Sequence, residues 1–157
     1  MPTTPTRYLI FEQVVQRLGE IVAGVDYWTS PTVQRLEPPD PDSGDSGPWI
    51  VVSFGPENPG EPSVGGRYNS SLTINIDGYV QKSSSAATTV DSACKLLQDI
   101  RKAILSNIAA IKEDVAECLY VWLADEDTDE GILDYGGGLV RVRQPIVVVY
   151  KTGTEWM

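Results

Sequence analysis

The side chains best placed by type and spacing to do chemistry are the carboxylates of Asp125-Glu126-Asp127-Thr128-Asp129-Glu130-Gly131. Acidic residues at alternate positions open a calcium loop, because each offers a hard oxygen to one cation. The pattern then fails. Glu130 stands where such a loop turns on glycine, and Gly136 stands where it needs a bidentate glutamate. The run reads better as a solvated loop tip or an electrostatic contact to a basic partner, with a weak divalent-ion site as the lesser alternative, so no metal ligand is assigned.

Other chemistries lack their parts. The chain has no histidine. That removes the usual nucleophile–base pairs, the usual proton carrier near neutrality and most zinc sites. No phosphate-binding glycine loop precedes a helix. Gly136-Gly137-Gly138 leads into a strand instead, which suits a hairpin tip needing positive φ. Cys94 and Cys118 fall on expected apolar positions with no cationic neighbour at motif spacing, so both read as small buried residues. No catalytic residue and no cofactor are expected.

Two further features bear on contacts. Arg141 and Arg143 share one face of the last strand. They either protect a strand edge by charge or form an ion-pair seam with the acidic loop of another subunit. Trp156 lies beyond Gly153. It either docks on a neighbour or belongs to a frayed tail. Trp49 and Trp122 fall on strands and are expected in the core.

The elements that must position these groups follow from periodicity. Apolar residues at helical spacing predict a first helix over Pro5–Ala23, with Thr4 as cap and Gly24 as stop. Thr32–Leu36 reads as a short strand. Glu37–Pro48, rich in Pro, Gly, Asp and Ser, reads as a solvated loop. Trp49–Phe54 is a buried strand, and Gly55–Gly66 a second Pro/Gly-rich loop. In Arg67–Gln81, Leu72, Ile74 and Ile76 face one way and Ser71, Thr73, Asn75 and Asp77 the other, so one face is buried and one is wet or meets a partner. Gly78 marks a bulge or bend. A second helix spans Ala86–Leu105, its period extending toward Ile111, with outer pairs Asp91–Lys95 and Lys95–Asp99. Cys118–Ala124, apolar on both faces, reads as a central strand. The acidic loop Asp125–Gly137 follows, then a final strand over Gly138–Lys151. There, Pro145 implies an edge position or a bulge.

This order predicts an α+β fold: a mainly antiparallel mixed sheet, two helices packed on one face, and long acidic loops, all in one domain over residues 1–157. With 157 residues and 41% apolar content, the chain can build one hydrophobic core. Its formal charge of −10 disfavours nucleic-acid and anionic-membrane binding, which need a basic footprint. The opening has no leader-like pattern, no apolar run is long enough to span a bilayer, and the two thiols suit a reducing compartment, so a cytosolic setting is expected.

The layout resembles the tail terminator and minor tail proteins of long-tailed, lambda-like bacteriophages. The resemblance rests on Trp28-Thr29-Ser30-Pro31-Thr32-Val33-Gln34-Arg35 after an amphipathic helix, a buried strand after Pro48, and the long alternating strand from Arg67. It continues in Leu97-Gln98-Asp99-Ile100-Arg101-Lys102-Ala103-Ile104 and a close on Val147-Val148-Val149-Tyr150. It covers nearly the whole chain, in layout more than identity, and the long acidic loops depart from it. It implies a virion tail protein assembled in the host cytoplasm: a homohexameric ring on the tail tube that ends tube polymerisation and presents the head-joining surface. Implied partners are further copies, the tube protein and a head-side connector, with DNA only passing through the lumen and no membrane. The family supplies no catalytic residues. On this reading Asp125, Glu126, Asp127, Asp129, Glu130, Arg141, Arg143 and Trp156 are candidate subunit or tube contacts, and some of these acids, with the Asp40–Asp45 loop, face the channel or the tube. Alternatives are another head–tail connector or completion protein, a baseplate component, a monomeric adaptor, or an enzyme working through converging carboxylates.

Overall fold

The computed structural model describes residues 4–63, 67–124 and 133–152. Two helices and six strands run in the order α1 (Thr6–Gly19), β1 (Thr32–Arg35), β2 (Trp49–Ser63), β3 (Arg67–Gln81), α2 (Ala86–Asp114), β4 (Cys118–Leu123), β5 (Leu133–Gly136) and β6 (Leu139–Thr152). The α+β class, with a mainly antiparallel mixed sheet, is as expected.

Helix α1 is shorter than its apolar spacing predicted. Thr4 does not cap it; the Pro5 carbonyl receives the Tyr8 and Leu9 N–H groups at 3.0 and 3.2 Å. The helix closes at Gly19, where the next two N–H groups fold back onto Arg17 and Leu18. Ile21 is still buried after the helix has ended, so it extended the apparent period without being helical. Helix α2 runs well past Leu105. Ser85 caps it by accepting from the Thr88 N–H at 3.3 Å, and Ile104 and Ile111 carry the buried stripe to its end. At 29 residues it is about 43 Å long.

The sheet order is β1-β2-β3-β6-β4, with β5 also paired to β6. Strand β1 is parallel to β2 and the remaining pairs are antiparallel. Strands β3 and β6 pair without interruption from Tyr68↔Thr152 to Gln81↔Leu139. The expected loop after Phe54 is instead a continuation of β2. Strand β3 offers a ladder there, and the Pro-rich chain stays in it by shifting register between Phe54 and Glu57 and between Pro59 and Pro62.

Two strand placements differ from expectation. Strand β6 lies inside the sheet, and β4 is the edge. The reason Pro145 is tolerated inside is local. The Pro145 carbonyl accepts the Ala124 N–H at 2.9 Å, just past the end of β4. The return bond from Pro145 does not exist, and Gln144 Nε2 donates to the Ala124 carbonyl instead, at 3.1 Å. Gln144 is almost fully buried, and Arg101 of α2 donates to its Oε1 at 2.7 Å. Beyond this point β5 takes over the same flank of β6.

One face of the sheet carries Ile50, Val52, Leu72, Ile74, Ile76, Val142, Ile146 and Val148, which pack with both helices into the main core. Gly78 sits in regular pairing, not at a bulge. A Cβ there would come within 2.8 Å of Leu96 and Val142, so this glycine lets α2 approach the sheet. The β5–β6 turn is the hairpin tip that the glycine run predicted, with φ of +88°, +62° and +78° at Gly136, Gly137 and Gly138.

Candidate interaction surfaces

Among the described residues, no helix lies over the opposite face of the sheet. Paired residues in antiparallel strands project to the same side, so Asp77↔Arg143 and Tyr79↔Arg141 place all four side chains there. Arg143 grips Asp77 with two hydrogen bonds, Nε to Oδ1 at 2.6 Å and the second guanidinium nitrogen to Oδ2 at 3.1 Å. The Asp77 side chain is only 8% exposed, so this pairing neutralises a charge that would otherwise be poorly solvated. Beside it, Trp49, Val51, Tyr79 and Leu139 make a second, small buried cluster. Tyr135 meets Tyr79 edge-on at 5.1 Å, and Arg141 lies over the Tyr135 ring at 5.8 Å. Burial first, and then the Asp77 charge, push the Tyr79 hydroxyl up to about 12.

Toward the β4 edge the same face changes character. Tyr120 is 63% exposed and Trp122 44% exposed, with Val147 and Val149 half-buried between them and β3. Lys112 reaches from the end of α2 to within 5.8 Å of the Tyr120 ring, and Lys151 is exposed on the same face. Among the described side chains of the strands, Asp77 is the only carboxylate pointing to this side. In a chain with 22 acidic residues, that leaves a face of serine, threonine, asparagine, valine, aromatic and cationic groups.

The helix side has an open groove of about 810 Å³ between residues 24–28 and α2. Its wall is fixed by Asp99, which is 1% exposed and accepts from the Trp28 and Thr29 N–H groups and the Thr29 hydroxyl, the last at 2.6 Å. The expected Lys95–Asp99 surface pair is therefore not formed, while Asp91–Lys95 is, at 2.8 Å. Trp28 and Val25 stand exposed on the pinned loop. Arg101 and Lys102 line the groove; Arg101 bonds Gln144, and Lys102 bonds the Asp26 carbonyl and lies 3.9 Å from its carboxylate. A second concavity, about 430 Å³, is lined by Tyr8, Phe54 and Glu57; Glu57 accepts the Tyr150 hydroxyl and pairs with Arg7.

The sequence candidates divide sharply. Asp125, Glu126, Asp127, Asp129, Glu130 and Trp156 lie outside the described residues. Arg141 and Arg143 do share a face, but on an interior strand, so they protect no edge. Arg143 is engaged by Asp77 of its own chain. Trp49 is buried as expected; Trp122 is not. Cys118 is buried, and burial raises its thiol to about 11, whereas Cys94 is exposed. No group of three potential metal ligands occurs among the described residues. Asp77, Asp99 and Gln144 were missed as organisers.

No protein-family model and no curated protein sequence matches the chain. Among solved structures it is similar to a chain of the "Virion of native gene transfer agent (GTA) particle", at 14% identity and a TM-score of 0.41, over 91% of this chain and 92% of that one. A likeness at that level does not carry function across.

Proposed function

We propose that the chain is a structural virion protein of a phage-like particle: a subunit of a ring at the end of the tail tube that ends tube polymerisation and offers the head-joining surface. The observation that carries this reading is the helix-free sheet face, with Tyr120 and Trp122 held exposed on it. Large aromatic side chains on a rigid strand are typical anchors of protein contacts. The layout of the sequence supports the same reading. Ring formation also suits the charge: subunits this acidic need contacts that keep carboxylates apart.

The test is tube assembly. Tail tube protein from the same particle is polymerised with and without this chain, and lengths are measured by electron microscopy. Bounded tubes with a ring of density at one end are expected. Unbounded tubes with bare ends would remove the terminator reading.

A further inference from the structure

The two lateral ends of the sheet are chemically complementary. At the β4 end, Tyr120 and Trp122 form an exposed ridge flanked by Lys112 and Lys151. At the β1 end lies the loop of residues 37–48, which carries Glu37, Asp40, Asp42 and Asp45. No lysine or arginine occurs between Leu36 and Gly66, and Arg35 just before them pairs with Glu12. The loop has a defined shape. Asp45 accepts from the Gly47 N–H at 2.9 Å and the Thr32 hydroxyl at 2.8 Å, and these bonds hold its carboxyl below the usual range. Asp40 accepts the Asp42 N–H at 2.9 Å. Pro38 is exposed and Pro41 half-buried beside these acids.

We propose that this Pro/Asp loop of one copy docks on the Tyr120–Trp122 ridge of the next copy. Proline rings pack on aromatic faces with little ordering cost because their backbone is already restricted. Asp40 and Asp42 face Lys112 and Lys151 across the contact. Loop and ridge cannot meet within one chain. They are separated by four strand spacings, about 19 Å in all, and the loop is tied at both ends to β1 and β2. A contact between opposite ends of one subunit is heterologous, and such contacts close into rings when the rotation allows. Ring closure rests on the assembly reading given under Proposed function; the contact itself does not. It also assigns the 37–48 loop to a subunit seam and not to the channel.

The experiment is a charge swap read by light scattering over a range of protein concentrations, at low and high salt. The wild-type chain associates, less strongly as salt screens the contact. The variants Asp40→Lys/Asp42→Lys and Lys112→Glu/Lys151→Glu each require about tenfold more protein to associate. Combining the four substitutions recovers association, and circular dichroism shows every variant folded. Trp122→Ala weakens association at both salt concentrations. Wild-type assembly that none of these substitutions alters refutes this contact and leaves the tube-terminator reading standing. A wild-type chain that stays monomeric at every concentration refutes the contact too, and the tube-length assay then decides the larger reading independently.

Discussion

The two faces of this sheet are built from the same strands and do opposite work. On the helix side, Ile74 and Ile76 are fully buried in a continuous apolar core. One residue away in each direction, Thr73, Asn75 and Asp77 form a polar row. The helix face is held by shape, through side chains that fill space against α1 and α2. The bare face is held by pairing: Asp77 with Arg143, Tyr79 with Tyr135, and Arg141 over that ring. The difference teaches where stability and contact are separated. The first face can lose little without cost to folding, while much of the second can change without unfolding the chain.

Substitution can break that contrast directly. Ile74→Ala should destabilise by about 2–5 kcal/mol, because a fully buried site leaves a cavity, whereas Thr73→Ala should stay within about 0.5 kcal/mol. Denaturant unfolding checks both. An intermediate effect marks a place where the bare face is structural. Arg143→Ala should cost about 1–3 kcal/mol by leaving the Asp77 carboxylate unpaired, and Asp77→Asn with Arg143→Gln should recover most of it. If the single change costs nothing, the pair belongs to contact and not to folding.

Thiol chemistry sharpens the comparison at smaller amplitude. Cys94 is exposed on α2 while Cys118 is buried with a raised pKa. In the folded protein a maleimide should label Cys94 first, with Cys118 reacting only on unfolding, as peptide mass spectrometry will read. The smallest expected effect concerns Glu12, which ties α1 to the sheet margin through Arg35 at 2.7 Å. The Arg35 hydrogen bond lowers its folded pKa below the ordinary 4.5. Its contribution is therefore present above the unfolded value and fades as pH falls through the folded one. The stability gap between wild type and Glu12→Gln should close in that acid window; a gap that persists there would mean the ion pair contributes nothing.

The fold was largely legible where one physical signal dominates. The alternation of Leu72, Ile74 and Ile76 against Thr73 and Asn75 marked Arg67–Gln81 with its observed bounds, and the glycine run marked a turn. The misses occur where long-range pairing overrides local chemistry. Prolines and glycines after Phe54 suggest a loop, yet β3 supplies partners that keep the chain extended. Cys118–Ala124 looks central because it is apolar throughout, but Tyr120 and Trp122 turn outward at an edge. The candidate contact surface was legible only in part. Arg141 and Arg143 were found, but their partners Tyr135 and Asp77 are set by strand register, which no local pattern encodes.

The Gln144 amide has a mechanical consequence. Because a side chain stands in for the missing Pro145 N–H and is itself gripped by Arg101, the last rung of β4 is fastened to the helix layer. Any sliding of α2 along the sheet must tug on that rung. The fastening thus works as a latch between the two layers, at the point where the chain leaves β4 for its most acidic stretch.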